Sequence, residues 1–260
     1  MSDFAAKHGE KIGMVLSFAI FLVFWQIMAS LVGPQYLPSP HAVFTRGLEM
    51  YGGVIGGKSM WAHIGYSLQR VLSAFVLAAA TGIPLGIAMG WNTTVRKIVA
   101  PVFELLRPIP PLAWIPIAIL WLGIGEGPKI FICYIGAFVI FVMNTYTGMR
   151  YTDPLLIDAA RTYGATRRQQ LFNVAIPAGL PSVFAGVQNA MSMAWMCVLA
   201  AELVSAREGV GFIIIQGMDQ SDPPMIVVGM LTIGVTGFIL AVALRFLERV
   251  LCPWRRDLHQ

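Results

Sequence analysis

Charge is scarce in this chain. Of 260 residues only 12% are Asp, Glu, Lys or Arg, about half the roughly 25% of an ordinary soluble domain, so there are too few ions to dress a surface for water. Cysteine is scarcer still. Cys133, Cys197 and Cys252 stand far apart with no paired spacing, so neither a zinc site nor a disulfide framework is expected. The histidines His8, His41, His63 and His259 are isolated too and make a weak metal case. No sequence repeat of fixed period or low-complexity segment appears, and no appended soluble domain is expected. Catalytic constellations are missing, so the chain is expected to perform no covalent chemistry and to need no cofactor.

What is abundant is apolar sequence. Hydrophobic residues make up 57% of the chain and its mean hydropathy is +0.71. The apolar residues gather into stretches at about 14–33, 68–89, 99–122, 130–149, 183–201 and 226–247, each near the roughly 20 residues that cross a 30 Å hydrocarbon core as a helix. The predicted fold class is therefore all-α, a polytopic membrane protein with six transmembrane helices in a single domain over 1–260, embedded in the lipid bilayer. The first stretch follows Lys7 and Lys11, is long for a signal peptide and precedes no convincing A-x-A site; it reads as an uncleaved anchor.

Lysine and arginine set the orientation, because cytoplasmic flanks are enriched in them. With the N-terminus inside, twelve of the eighteen fall on the cytoplasmic side: Lys7, Lys11, Arg96, Lys97, Arg150, Arg161, Arg167, Arg168, Arg245, Arg249, Arg255 and Arg256. Arg46, Lys58, Arg70, Lys129 and Arg207 fall outside, and Arg107 falls inside the third stretch. Both termini are thus expected in the cytoplasm. The basic pI reflects topology, and no basic stripe with interleaved aromatics points to nucleic acid.

GGVIGGKS, from Gly52 to Ser59, fits the phosphate-loop pattern G-x-x-x-x-G-K-[ST]. It lies on the outer side, and the only imitation of a Walker B strand, PLLID ending at Asp158, lies on the opposite one. A flexible glycine-rich loop tip is the expectation. Just before it, LPSPHAVFTRGLEMY predicts an interfacial helix with Ser39 as cap, Pro40 at its first position, and Val43, Phe44, Leu48 and Tyr51 on one face.

The longest polar segment, 152–182, joins the fourth and fifth stretches on the cytoplasmic side. Asp153 can cap a helix that starts with Pro154 and ends at Gly164. Thr166 opens a second one with the T-R-R-Q capping-box pattern, and Pro177 and Pro181 are expected to close the segment. Two short helices broken by a glycine make a compact knob suited to transmitting force from a partner.

DAARTYGATRRQQLFNVAIP, Asp158 to Pro177, resembles the EAA loop of bacterial ATP-binding-cassette (ABC) import permeases. Asp158, Ala159, Ala160, Gly164, Ile176 and Pro177 match the pattern, with Asp in place of Glu at its first position. ELLRPIPPLAWIPIAILWLGIGEGPKI, AAELVSAREGVGF and Pro253-Trp254 are similar to the permeases for nitrate, bicarbonate, taurine and alkanesulfonates, with taurine-type chains most alike. The resemblance implies a transport subunit of type I importer fold in the inner membrane, carrying a small anion. It also implies a second permease copy, cytosolic ABC ATPase subunits that dock on the 158–177 loop, and an extracytoplasmic substrate-binding protein.

Candidate path residues follow from cost. An arginine within a span is expensive and marks an ion pathway by default, which singles out Arg107; snorkelling, or pairing with Glu104, is the structural alternative. Pro108, Pro110, Pro111 and Pro116 each remove a donor, so no regular helix runs through RPIPPLAWIP, and such backbone is tolerated only in a protein-lined or watery place. Trp114, Trp121 and Trp195 are gate candidates or interfacial anchors. Glu202 is expected either to gate or dock, or to pair with Arg207 at the surface. The stretch from Arg207 to Pro224, with Asp219 and Asp222, is expected as a loop that is solvated or meets the binding protein. Gly82, Gly86 and Gly90 predict close helix packing. A self-sufficient ion-coupled carrier or channel is the competing function, but such carriers usually show internal repeats and intramembrane carboxylates.

Overall fold

A computed structural model describes residues 2–251, with side chains placed for 13–248 except Ser205. Cys252, Pro253, Trp254, Arg255, Arg256 and His259 lie outside the described residues, and the side chains of Lys7, His8, Lys11 and Arg249 lie outside the described side chains.

Eleven helices and one tiny hairpin are present among the described residues. In chain order they are α1 (Ser2–Val32), α2 (Pro40–Gly52), β1 (Val54–Ile55), β2 (Lys58–Ser59), α3 (Met60–Trp91), α4 (Thr93–Leu106), α5 (Ile115–Leu122), α6 (Glu126–Arg150), α7 (Pro154–Thr162), α8 (Arg167–Gln170), α9 (Ile176–Ser205), α10 (Val210–Asp219) and α11 (Pro223–Leu251). Among the described residues five stretches are long and apolar enough to cross a membrane, Gly13–Val32, Met60–Trp91, Glu126–Arg150, Arg167–Val204 and Pro223–Glu248, or six if the bent pair Thr93–Leu106 and Pro111–Leu122 is one span. The third expected span is not one straight helix. α4 and the Pro111–Leu122 segment meet at 85° across the proline-rich break, where the missing backbone donors end α4 at Leu106 and a 3-10 turn over Pro111–Trp114 restarts the chain.

The helix starts follow local chemistry. Ser39 Oγ accepts from Ala42 N with Pro40 at the first position of α2, Ser59 accepts from Ala62 N at the head of α3, and Asn92 Oδ1 takes Thr94 N at 2.9 Å to open α4. α2 presents Val43 and Met50 to the protein. Phe44 and Leu48 are exposed, so the expected apolar face is split between the core and the outside.

The centre is a layer of three helices, with α6 between α3 and α9. Glycines set both seams. A Cβ on Gly82 would stand 2.9 Å from Phe141 Cβ, one on Gly86 2.6 Å from Thr145 Cβ, and one on Gly90 would strike Met149 Cβ. The partners climb together by fours, so α3 and α6 run parallel and their backbones touch as the spacing predicts. On the other side Gly136 meets Cys197, Gly186 meets Asn144 and Gly148 meets Ser182, an antiparallel register. Around this seam Val71, Ala74, Ala78, Ile132, Ala137, Phe141, Ala190, Ala194 and Val198 form the main core.

Two expected loops are ordered otherwise. Gly52–Ser59 is a two-residue hairpin in which Val54 pairs with Ser59 and Ile55 with Lys58, while Gly56 and Gly57 both take positive φ, as its tight turn requires. Its tip is not slack: Lys58 Nζ donates to Tyr66 Oη at 2.9 Å and pairs with Glu208. The stretch after Arg207 is mostly α10, an apolar helix, and Asp222 is engaged, pairing with Arg46 at 2.8 Å and accepting from Met225 N at the head of α11.

Candidate functional site

Functional groups gather at the two opposite ends of the central layer. α6 leads into the knob and α9 leads out of it. α7 begins where Asp153 Oδ1 accepts from Leu155 N at 2.9 Å. It stops where Gly164 N reaches Arg161 O at 2.9 Å and Ala165 N reaches Ala160 O at 3.0 Å, a Schellman pair that needs the left-handed φ of +79° at Gly164. Thr166 then closes a full capping box, its N donating to Gln169 Oε1 at 2.8 Å and its Oγ1 accepting from Gln169 N. Gln170 is buried and ties Nε2 to Ala165 O at 2.8 Å. Every turn of the knob is therefore pinned by its own residues.

Of the residues assigned to ATPase coupling, Asp158, Ala159, Gly164 and Pro177 are exposed and Ala160 and Ile176 half-buried. Among the described residues Asp158 pairs with Arg161 alone, at 3.3 Å. Beside them Leu155, Tyr163 and Phe172 stand out, Tyr163 at 92% exposure, an apolar surface on a polar segment. One expectation fails here. Pro177 and Pro181 do not close the segment; the helical path runs on from Arg167 to Val204. A single π turn over Leu171–Ala175 widens the coil just before Pro177, so the path continues past the missing N–H, and Pro181 is carried inside the helix.

The opposite end holds a buried ion cluster. Arg70, 2% exposed in α3, forks onto Glu126 through Nε and Nη2, gives Nη1 to Glu202 Oε1 at 2.6 Å and to Glu208 O at 2.8 Å, and lies 3.9 Å from the Glu208 carboxylate. Glu202, 1% exposed, also takes Ser67 Oγ at 2.8 and 3.0 Å and Gly211 N at 2.9 Å. Lys129 binds Glu126 at 2.8 Å and Lys58 binds Glu208. Three cations thus meet three carboxylates, and the buried members Arg70, Glu202 and Lys129 are tolerable at that depth only with such pairing. His63 joins in: Gly209 N donates to its Nδ1 at 3.1 Å, so Nε2 carries the proton and donates to Ile55 O at 3.0 Å. The cluster ties the hairpin, α3, α6, α9 and the turn into α10 together.

Glu202 is thus turned inward to Arg70, and Arg207 is exposed, which overturns the expected Glu202–Arg207 pair. Arg70, Glu126, Lys129, Ser67, His63 and Glu208 were missed as site residues. One local signal was available: a Cβ on Gly209 or Gly211 would collide with Glu202, so the spacing from Glu202 to EGVG encodes a backbone wrapped around a carboxylate.

Of the assigned path residues, Trp114 and Trp195 meet in the main core cluster. Arg107 is exposed at the end of α4, without an ion pair to Glu104 among the described residues. Pro108 and Pro110 lie exposed in the bend, while Pro111 reaches toward Gly136 of α6. Trp114 packs against the main core. Trp121 is exposed and meets Phe131 edge-on. Trp195 is buried between α9 and α11, Nε1 donating to Ile233 O at 3.3 Å, and Glu202 belongs to the ion cluster. No group of three or more His, Cys, Asp or Glu side chains suited to a metal is found among the described residues.

Comparison with known proteins agrees with this architecture. The family described as binding-protein-dependent transport system inner membrane component matches residues 82–257. The chain is 39% identical to a Methanocaldococcus jannaschii protein assigned as an ABC transporter permease, over 92% of this chain and 90% of that one. It is 35% identical to the taurine transport system permease protein of Escherichia coli (93% and 89%) and 32% identical to the nitrate import permease protein of Synechocystis sp. (92% and 88%). In fold it is similar to a chain of the MetNI methionine ABC transporter in an inward-facing conformation, with a TM-score of 0.58 at 20% identity over 72% of this chain and 96% of that one.

Proposed function

Because the chain belongs to the binding-protein-dependent transport system inner membrane components, we propose that it is the permease subunit of an ATP-driven importer of a small anion of the sulfonate, taurine, nitrate or bicarbonate class. The relatives that carry taurine and nitrate support the substrate class. ATP hydrolysis belongs to separate cytosolic subunits that grip the knob. An extracytoplasmic binding protein delivers the anion at the ion-cluster end, and a second permease copy completes the path. The basic flanks support a bacterial inner-membrane orientation with the knob and both termini in the cytoplasm.

The observation that carries this reading is the knob. Its caps make it stiff, and it sits directly in the chain between α6 and α9, so displacement by a partner enters the two central helices without passing through a slack loop. Coupling of this kind needs a contiguous rigid element with two packings that the partner's ATP state biases differently. Asp158, Ala159, Ala160, Gly164, Ile176 and Pro177 form the gripped surface, and the Arg107–Pro111 bend supplies the irregular backbone beside the path.

The test is reconstitution in vesicles with the ATPase and binding protein. ATP-dependent uptake of one of these anions is expected, with Gly164→Leu inserting normally but losing ATPase association or coupling. Accumulation by the permease alone, or undiminished uptake by Gly164→Leu, contradicts the reading.

A further inference from the structure

Between α9 and α11 lies a half-open cavity of about 440 Å³, bounded by Gln188, Asn189, Ser192, Trp195, Gly237 and Arg245. Its volume is within the range of small-ligand sites. Its lining is unusual for two apolar spans. Asn189 and Ser192 are exposed, on a stripe of α9 that continues to Met196, and an amide facing hydrocarbon lacks any partner for its polar atoms, so this face must meet water or protein. Gln188 Nε2 is bonded to Glu248 and Ser192 Oγ turns back to Gln188 O at 3.1 Å. The Asn189 amide and the Arg245 guanidinium have no partner among the described residues. One cation and one neutral donor therefore face the same space.

The depth is informative. Arg245 lies 22 residues past Pro223, about 33 Å along α11, and Asn189 13 residues past Ile176, about 20 Å along α9. The cavity thus lies at the middle of α9 and along the knob-side half of α11. Its outer side is stopped by the Trp195 indole, pressed against Gly237, where a Cβ would stand 2.9 Å from Nε1.

Resting on the importer reading above, we infer that this cavity is the inward holding site of the transported anion. Arg245 supplies the countercharge, Asn189 a hydrogen bond to one oxygen, and Trp195 the barrier that separates the site from the outer end. The space exceeds a small oxyanion, which therefore sits there with water and leaves readily. A lipid phosphate offers the same oxyanion chemistry at this depth, and the experiment separates the two.

In the complete transporter carrying Cys252→Ser, Ser192→Cys is labelled with a charged thiol reagent in vesicles of purely zwitterionic lipid; Cys133 and Cys197 are buried. Labelling slowed at least threefold by the anion that the transporter accumulates, with protection lost in Arg245→Gln and partly kept in Arg245→Lys, is the expected result. Labelling indifferent to the anion, or no labelling in a transporter that still pumps, overturns the inference. Protection that appears only on adding phosphatidylglycerol also overturns it, in favour of a lipid headgroup. Absence of ATP-driven uptake of taurine, alkanesulfonates, nitrate and bicarbonate alike by the unsubstituted transporter overturns the importer reading itself. If Ser192→Cys does not assemble, Met196→Cys on the same stripe takes its place.

Discussion

Removing the positive charge of Arg70 while keeping its bulk, as Arg70→Met, gives a sharp test of the ion cluster. Glu126 keeps Lys129 and Glu208 keeps Lys58, but Glu202 loses the one cation that it has among the described residues and is left 1% exposed with the neutral donors Ser67 and Gly211. Orphaning one member of a buried pair costs about 3–5 kcal/mol. At roughly 2–4 °C per kcal/mol for a chain of this size, the unfolding midpoint should fall by about 6–20 °C. Glu202→Gln should cost less, about 1–3 kcal/mol, because Arg70 keeps its fork on Glu126 and the amide oxygen still accepts from Gly211 N. In the double variant Arg70→Met/Glu202→Met the orphan is gone, and stability should recover above that of Arg70→Met alone, a coupling visible in a double-mutant cycle. Thermal unfolding of the protein in nanodiscs measures all three. An Arg70→Met midpoint within 2 °C of the parent, or a double variant that is simply the sum of the singles, refutes the claim that Arg70 neutralises Glu202.

Gly164→Leu places a bulky residue at φ +79° in open space, so it loses about 1–2 kcal/mol of local conformation without a clash; co-purification of the ATPase should drop while membrane insertion holds. Gly86→Val drives a methyl group into Thr145 and the Val142 carbonyl, and overpacking of about 1–3 kcal/mol should lower the unfolding midpoint. Lys58→Ala breaks a pair whose side chains are 36% and 25% exposed; it should cost no more than about 1 kcal/mol and leave uptake within twofold, since half-wet pairs contribute little. Loss of uptake in normally inserted Lys58→Ala would mean that the hairpin does more than fasten.

The helical class, the membrane setting and the knob were legible because each is written in neighbouring residues. Asp153, Gly164 and the Thr166–Gln169 box act across two to five positions, and the structure places each of those bonds. The glycine ladder of α3 is also local on one strand of the argument, since a period of four marks a face before its partner is known. The ion cluster was not legible. Its members lie far apart along the chain, and Arg70 read as a flank charge because a cation at the edge of an apolar run looks the same whether it faces water or three carboxylates. α3 begins at Met60, before the expected span's start at about Leu68, and buries His63, Ser67 and Arg70. Pro177 and Pro181 misled for the opposite reason: proline is a strong local stop, and the π turn that absorbs it leaves no mark in composition. Glu202 was paired wrongly, because its partner is chosen by tertiary packing and Arg207 is merely near in sequence.

The two glycine seams leave α6 no slack on either flank, so α3, α6 and α9 must tilt as one plank. Over the roughly 38 Å of α6, a tilt of about 5° at the knob displaces the far end by about 3 Å, the length of a hydrogen bond. Whatever gives way when the knob is pushed must therefore lie outside the plank: at the 85° elbow before α5, which rests on α6, or in the α9–α11 crevice.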